Sequence, residues 1–115
     1  MALSEFEQKR CEKVVGAFVE SRRPAAHIRP KLDLGFRVNG QSVEIFEIQP
    51  SFDNPKKKLE HSVAKATFVK ASGAWRVYWL RSDLKWHRYE PAPEVETLEE
   101  FLKLVGDDDH AYFWG

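Results

Sequence analysis

The dipeptide Asn39-Gly40 restricts the fold of this 115-residue chain more than any other feature of its sequence. Asparagine and glycine both tolerate positive φ, so the pair is the preferred centre of a two-residue type I′ turn between antiparallel strands. Residues that oppose each other beside such a turn lie on the same face of the sheet. The pairs that this register predicts are Val38 with Gln41, Phe36 with Val43, Leu34 with Ile45, and Leu32 with Glu47. The sequence therefore predicts a hairpin with one largely apolar face.

Three further strands are predicted after this hairpin. Residues 50–60 contain prolines and a run of lysines and are predicted to form a loop, and Ser72-Gly73 marks a second turn. The remaining strands are predicted over residues 61–70, 75–80 and 85–89, with Phe68 opposite Val77 and Ala66 opposite Trp79. Because strands joined by short turns are antiparallel, the five strands form one antiparallel meander.

A helix is predicted at each end of this sheet. The first covers residues 5–22, because residues 4–7 form a capping box and Pro24 ends the helix. The second begins in another capping box at residues 97–100. The apolar positions at helical spacing are Cys11, Val14, Val15, Phe18 and Val19 in the first helix, and Leu98, Phe101, Leu102 and Val105 in the second.

The segment after these apolar positions is predicted to finish the fold. Gly106 is expected at the C-cap, and the three aspartates at 107–109 are expected in a solvated turn. Residues 110–114 form a short aromatic tail that is a candidate for a final strand. With helices at the ends rather than between strands, the fold class is α+β, with both helices on one face of the five-stranded meander. The length and 43% apolar residues support a single domain over residues 1–115.

The composition excludes several classes of protein. No apolar run approaches the roughly 20 residues that cross a bilayer, so no membrane partner is expected. Cys11 is the single cysteine, which excludes an internal disulfide and Cys-x-x-Cys chemistry. The first residues lack the features of a signal peptide, so the expected location is the cytoplasm. The histidines, His27, His61, His87 and His110, lack metal-ligand spacing, and no cofactor is predicted.

The charges are balanced over the whole chain but not along it. Lysine and arginine total 18, and so do aspartate and glutamate. Residues 1–89 hold 17 basic and 10 acidic side chains, a net charge of +7, whereas residues 90–115 hold one basic and eight acidic ones, a net charge of −7. The acidic segment has two interpretations: helix-start carboxylates with solvated turns, or a segment that folds over a basic sheet and masks it.

Aromatic and basic side chains alternate most densely over residues 65–89. Such alternation on a sheet suits single-stranded nucleic acid, because rings stack on bases and cations contact phosphates. The other interpretation is that the tryptophans fill the core and the cations form the solvated face of the same strands. The side chains concerned are Phe68, Trp75, Tyr78, Trp79, Trp86 and Tyr89, with Lys65, Lys70, Arg76, Arg81, Lys85 and Arg88.

A two-residue turn in the last hairpin sorts these side chains onto two faces. In that register Arg76 opposes Tyr89 and Tyr78 opposes His87, and together they form an outer surface. The opposite face, with Trp75, Val77, Trp79 and Trp86, is then the core face. The predicted contact residues are Arg76, Tyr78, Lys85, His87, Arg88 and Tyr89.

Three functions are compatible with these six residues. The preferred hypothesis is a non-catalytic binding module for nucleic acid or a protein. The second is a small metal-independent ribonuclease in which the same residues stabilise and protonate a leaving phosphate. The third is a surface for a protein partner or for self-association, with the aromatic rings as anchors. The sequence predicts no oligomeric state.

A metal-dependent nuclease is disfavoured by the strand period. Restriction-endonuclease-like folds place an aspartate on one strand and Glu-x-Lys on the next, and Asp33 with Glu47-Ile48-Gln49 has a similar order. Gln49 replaces the lysine, and the predicted register places Asp33 and Glu47 on opposite faces. Two carboxylates on opposite faces cannot share a metal ion.

Several motifs of the chain resemble a known family. They are residues 64–67 (Ala-Lys-Ala-Thr), 75–79 (Trp-Arg-Val-Tyr-Trp), 83–89 (Asp-Leu-Lys-Trp-His-Arg-Tyr) and the terminal Phe-Trp-Gly. On these residues the chain resembles the small bacterial proteins catalogued as domain of unknown function 3024 (DUF3024). The resemblance covers almost the whole chain and implies a stand-alone bacterial cytoplasmic protein. It implies no catalytic residues.

Overall fold

A computed structural model describes residues 3–114 as two helices and an antiparallel sheet. The elements are α1 (Glu5–Arg22), β1 (Asp33–Asn39), β2 (Ser42–Pro50), β3 (Lys58–Val69), β4 (Ala74–Leu80), β5 (Trp86–Arg88), β6 (Glu94–Val95) and α2 (Leu98–Asp107). The strand order is β1-β2-β3-β4-β5, with β6 beside β4. The predicted α+β class and five-stranded meander are confirmed, and the short β6 is an addition to them. Residues 1, 2 and 115 of the predicted domain lie outside the described residues.

Helix α1 has the bounds that its capping box predicts. The Ser4 hydroxyl accepts from the Glu7 N–H at 3.1 Å, and the Glu7 carboxylate accepts from the Ser4 N–H at 3.2 Å. After the helix, Arg23 holds the start of β1 through two hydrogen bonds of 2.9 Å to Asp33. This hydrogen bonding from Arg23 lowers the pKa of the Asp33 carboxyl. Neither α1 nor α2 has the length and hydropathy that a bilayer-spanning helix needs.

The first hairpin has a different register from the predicted one but the same faces. Val38 pairs with Val43 rather than with Gln41, a shift of two residues. Gly40 takes a φ of 62°. A positive φ at the first central position is the pattern of a type II′ turn, so the turn is centred one residue further on than predicted. Because side chains alternate with a period of two, a two-residue shift leaves every side chain on its predicted face.

The hairpin of β3 and β4 shows the same kind of shift. Phe68 pairs with Trp75 rather than with Val77. The loop at residues 70–73 is longer than two residues, and Gly73 has a φ of 67°. This shift is again of two residues, so the predicted core face is preserved.

The hairpin of β4 and β5 departs from the prediction by a single residue. Tyr78 pairs with Arg88, whereas the sequence predicts His87 opposite it. The loop explains the difference: the Leu84 N–H donates to the Arg81 carbonyl at 2.8 Å, and Leu84 then has a φ of 62°. A type I turn followed by a left-handed residue makes a three-residue loop. An odd loop length reverses which side chains face the core.

The two faces of the sheet are therefore distinct. The inner face is covered by both helices, and its core residues on the strands are Val43, Ile45, Ala64, Ala66 and Val77, which pack with Val15, Val19, Leu98, Phe101, Leu102 and Val105 of the helices. A register shift after Ile45 lets two consecutive residues of β3, Val63 and Ala64, both be buried. The outer face carries Arg37, Glu44, Lys65, Arg76, Tyr78, Trp86 and Arg88.

The end of α2 differs from the sequence prediction. Gly106 lies within the helix, and the C-cap is Asp108, which adopts a left-handed conformation with φ 43°. Its carboxylate accepts from the backbone N–H groups of Tyr112, Phe113 and Trp114 at 2.8–3.1 Å. The prediction of Gly106 as the cap is therefore wrong. Asp107 and Asp109 are exposed, as expected of a solvated turn, but Asp107 still belongs to α2 and Asp108 organises the chain that follows.

The aromatic tail, residues 110–114, is not a strand. The Trp114 indole N–H donates to the Val105 carbonyl at 2.8 Å, and Phe113 is buried in the core cluster. With its N–H groups bound to one carboxylate, the tail forms no strand ladder. It packs instead beside the inner-face residues Trp79 and Tyr89.

Candidate functional site

The six predicted contact residues do not share one surface. Arg76, Tyr78 and Arg88 lie on the outer face. Lys85 lies in the loop before β5, and its N–H donates to Asp83 Oδ1 at 3.0 Å. The remaining two, His87 and Tyr89, belong to the inner face.

Tyr89 is the clearest correction. It is 1% exposed, so its predicted place on the surface is wrong. The cause is the one-residue shift of the last hairpin, which also places His87 beside Trp79 and moves Trp86 from the predicted core to the outer face. Burial, together with the nearby charges of Asp108 and Asp109, raises the pKa of the Tyr89 phenol. The hydroxyl is therefore neutral at physiological pH.

Most cations of the outer face already have partners on it. Arg37 pairs with Glu60 and lies 4.5 Å from the centroid of the Phe46 ring. Arg76 Nε lies 3.6 Å from Glu94 Oε1. This face carries rings and cations, but most of its cations are matched by carboxylates or rings of the same face.

Lys65 illustrates this matching. Its Nζ lies 5.0 Å from the Tyr78 ring centroid and 4.8 Å from that of Trp86, so two rings share one cation. Burial lowers the pKa of the Lys65 ammonium, and the charge of Glu44 acts in the opposite direction. One face of each ring is thus already in contact with a cation.

A groove at the edge of the sheet has a different character. It has a volume of about 510 Å³, within the range of roughly 300–1,000 Å³ common for ligand pockets. The residues that line this aromatic-basic groove are Trp79, Arg81, His87, Arg88, Glu90 and Tyr112. Two of them, His87 and Arg88, are among the predicted contact residues.

The aromatic wall of the groove is built in layers. The ring centroids of Trp79 and Tyr112 are 4.5 Å apart, with 35° between the planes. Behind them, Tyr89 contacts Tyr112 edge-on at 5.3 Å and Phe113 at 4.8 Å. The buried Tyr89 thus fixes the ring of Tyr112 from below, and its role is support rather than contact.

Arg81 and Arg88, of which Arg88 belongs both to the groove and to the outer face, are less neutralised than Arg37, Lys65 and Arg76. Among residues 3–114, neither Arg81 nor Arg88 forms an ion pair with a carboxylate. The Arg81 guanidinium lies 5.6 Å from the Trp79 ring centroid, which orients it along the aromatic wall. Both arginines can therefore contact an anion, with Glu90 in the lining of the groove and the Asp83 carboxylate close enough to Arg81 for their charges to interact.

His87 is held by a neighbour in the loop. Its Nε2 lies 2.9 Å from Asp83 Oδ2. This hydrogen bond, followed by the one from the Lys85 N–H, lowers the pKa of the Asp83 carboxyl. The pair fixes the imidazole beside Trp79, at 6.4 Å between ring centroids.

Metal and thiol chemistry find little support in the described part of the chain. Residues 3–114 contain no group of three His, Cys, Asp or Glu side chains placed to hold a metal ion. Asp33 pairs with Ile48 and Glu47 with Leu34, so the two carboxylates lie on opposite faces, as predicted. Cys11 is buried, and burial raises the pKa of its thiol.

The acidic segment does not cover the outer face. Helix α2 packs into the core on the inner face, and its carboxylate Glu99 pairs with Arg10 of α1 at 2.7 Å. Glu94 of β6 reaches Arg76 at the edge. Of the two interpretations of the acidic segment, masking of the outer face does not describe α2, because the apolar stripe of α2 directs it to the inner face.

Sequence reasoning missed Trp79, Arg81, Glu90 and Tyr112 as members of one site. The alternation of aromatic and basic residues over 65–89 could have pointed to Arg81 and Trp79, since both belong to that segment. Tyr112 reaches the groove only through the three hydrogen bonds of Asp108, which no sequence pattern announces.

Comparisons with known proteins leave the function open. A family model described as a domain of unknown function (DUF3024) matches residues 3–115. No curated protein matches the chain. No solved structure matches it either.

Proposed function

The chain belongs to the DUF3024 family, a domain of unknown function, and from its geometry we propose a non-catalytic module that binds single-stranded nucleic acid in the aromatic-basic groove. In this proposal residues 1–115 act as one domain in the bacterial cytoplasm. The carrying observation is that Arg81 and Arg88, which form no ion pair with a carboxylate of residues 3–114, line one groove with the ring pair of Trp79 and Tyr112.

Each part of the groove matches one part of a nucleotide. The rings of Trp79 and Tyr112 are partly exposed, and an accessible ring gives a base a stacking surface worth about 1–3 kcal/mol per base. The two guanidinium groups offer forked donors to phosphate oxygens. The Glu90 carboxylate can accept a hydrogen bond from a base amino group. A base inside a duplex is stacked on both sides, so the ligand that fits is a single strand.

Charge reversal at matched positions tests this proposal. Arg81→Glu, Arg88→Glu and Arg76→Glu change the net charge equally, but only the first two positions line the groove. Binding of a fluorescently labelled single strand of about twelve nucleotides is measured by anisotropy, with thermal unfolding to verify the fold. We expect each groove variant to weaken binding about tenfold or more and Arg76→Glu to weaken it less than threefold.

Two results contradict the proposal. If the parent protein binds no strand, the groove is not a nucleic-acid site. If Arg76→Glu weakens binding as much as the groove variants do, the outer face carries the ligand instead.

The same samples separate the competing hypotheses. After incubation with the protein, end-labelled RNA is expected to remain intact on a denaturing gel. Shortened RNA that disappears with Arg81→Glu would assign a ribonuclease and overturn the non-catalytic proposal. A concentration-dependent change in molecular mass without any strand binding would favour self-association.

A further inference from the structure

The hairpin of β2 and β3 extends beyond the rest of the sheet. On one side, β1 pairs with β2 only as far as Ile48; on the other, β4 pairs with β3 only from Ala64 onward. Within the described chain the end of this hairpin, residues 49–59, therefore pairs only with itself and has no third strand beside it, and we term it the arm. From Ala64 to Lys58, six residues at about 3.3 Å each carry the arm tip about 20 Å past the level of Ala64.

The arm and the groove lie at the same end of the molecule. Trp79 of the groove pairs directly with Ala64, the residue of β3 at which the unflanked part begins. A ligand that leaves the groove in the direction of Arg81 thus passes along the side of the arm.

The loop at the arm tip is fixed by its own hydrogen bonds. The Ser51 N–H donates to the Lys57 carbonyl at 2.7 Å, and the Lys57 N–H donates to the Asn54 carbonyl at 2.9 Å. The Lys56 N–H also donates to the Asn54 side chain at 3.1 Å. Asn at the first position and Pro55 at the second are typical of a type I turn. The tip therefore presents its side chains from a defined backbone.

The side chains presented there are one ring and a cluster of cations. Phe52 is 100% exposed, so its whole ring faces water. Lys56 and Lys57 are exposed and form no ion pair with residues 3–114, and Lys58 Nζ donates to the Pro30 carbonyl at 2.8 Å. Asp53 is the acidic residue of this loop. A ring beside lysines repeats the chemistry of the groove at the end of a projecting hairpin.

We propose that the arm is a second contact for the nucleic-acid strand whose base occupies the groove. The lysines contact phosphates, and Phe52 stacks on a base further along the strand. This inference rests on the proposed function of the groove. A lysine cluster with one exposed ring also suits an anionic membrane surface, but the groove at the same end favours the strand.

A two-site strand has a length requirement. At 3.4 Å per stacked nucleotide, the span of about 20 Å corresponds to roughly six nucleotides. A mononucleotide reaches only the groove, whereas a strand of about twelve nucleotides reaches both sites, and the second contact is then intramolecular. Affinity is therefore expected to rise with strand length, and the rise to depend on the arm.

The test compares two double variants with the same loss of charge. Lys56→Gln/Lys57→Gln alters the arm, and Lys9→Gln/Lys13→Gln alters the exposed side of α1. Adenosine monophosphate and a strand of about twelve nucleotides are titrated into each protein at several salt concentrations. We expect the arm variant to bind the mononucleotide like the parent but the strand about tenfold more weakly. A plot of log K for the strand against the logarithm of the salt concentration should become less steep by about 1.4, because two phosphate contacts are lost. The α1 variant should change neither affinity.

The outcomes separate the two proposals. If neither ligand binds the parent protein, the proposed function fails together with this inference. If both ligands bind the parent protein but the arm variant binds the strand as tightly as the parent does, the arm is not a second contact, and the proposed function of the groove is unaffected. Arm-dependent sedimentation with phosphatidylserine vesicles, with strand binding unaffected by the arm variant, would overturn it in favour of a membrane. Because the substituted lysines are exposed, an unchanged melting temperature verifies the fold.

Discussion

The outer face of the sheet and the aromatic-basic groove are built from the same kinds of side chain. On the outer face, Arg76 faces Glu94, and Lys65 lies between Tyr78 and Trp86. In the groove, Arg81 and Arg88 have no carboxylate partner among the described residues. The outer face therefore matches most of its cations with carboxylates or rings, whereas the two arginines of the groove have no carboxylate within ion-pair distance among the described residues and the Arg81 guanidinium contacts the Trp79 ring.

The difference teaches that residue content alone does not identify a binding surface. Cations that already contact rings or carboxylates must give up those contacts to bind a ligand. Among the described residues Arg88 has neither kind of contact and does not have this cost, whereas Arg81 keeps its contact with the Trp79 ring on one side. The groove also has a supporting layer beneath its rings, because the buried Tyr89 holds Tyr112. Three substitutions test whether the two regions are independent.

The largest effect is expected at Asp108, which binds the aromatic tail to the end of α2. Asp108→Ala removes three backbone hydrogen bonds to a carboxylate and places alanine at a φ of 43°. We expect a loss of about 2–4 kcal/mol in the free energy of unfolding, measured by urea denaturation. Because Tyr112 loses its anchor, strand binding in the groove should also fall.

Asparagine at the same position separates the two contributions. Asp108→Asn tolerates the left-handed backbone and keeps one oxygen acceptor. An intermediate loss of stability is expected. If Asp108→Ala leaves both stability and strand binding unchanged, the tail does not support the groove.

A smaller effect is expected at Gly35, beneath the outer face. A Cβ at this position would lie 2.7 Å from Phe46 Cε1 and 2.9 Å from Phe46 Cζ. Phe46 is 6% exposed and stacks under Arg37, so it has little room to move. We expect Gly35→Ala to reduce the free energy of unfolding by about 1–3 kcal/mol without changing the affinity of the groove.

Gly16 provides the matched control. A Cβ there would lie 3.4 Å from Phe36 Cζ, an ordinary contact, and the position is inside α1. Gly16→Ala should therefore stabilise the protein by about 0.5–1 kcal/mol. A loss of groove binding in Gly35→Ala would show that the two regions are coupled.

The smallest effect is expected at Asp83, the partner of His87. Its pKa is lowered in the folded protein, so its contribution to stability is present above the ordinary value of 3.8 and is lost as the pH falls through the lowered value. Asp83→Asn should therefore lower the melting temperature slightly at pH 7. The difference from the parent should shrink below pH 4. Asp53→Asn, at an exposed loop position, is the control that should show no such trend. A difference that grows toward acid would contradict the assignment.

The fold could be predicted because several independent sequence features, the helix caps, the turn residues and the apolar pattern, indicate the same elements. The capping box and Pro24 predicted the bounds of α1, and the apolar pattern of the β1–β2 and β3–β4 hairpins predicted their inner faces despite errors in the predicted turns. In both hairpins the register error was two residues, which leaves the faces unchanged. The turn residues therefore predicted that these hairpins exist, and the apolar pattern predicted which face of each hairpin is buried.

The site could be predicted only in part, because it depends on one loop. Leu84 adopts a left-handed conformation that leucine rarely takes, so the sequence shows no glycine to reveal a three-residue loop. That single residue moves Tyr89 into the core and brings His87 beside Trp79. No local pattern predicts that the Asp108 carboxylate accepts hydrogen bonds from three backbone N–H groups and so positions Tyr112 beside Trp79 of β4.

The meander has a further consequence for how the chain is made. Each long strand pairs with the next one in sequence, so the sheet can assemble hairpin by hairpin while the chain leaves the ribosome. The side chains of α2 that close the core, Leu98, Phe101, Leu102 and Val105, emerge only afterwards. Until then the inner face stays open to water over part of its area. A released chain that ends shortly before Leu98 would therefore have an apolar sheet surface without its α2 cover, and we expect such a truncated chain to aggregate more readily than the full one.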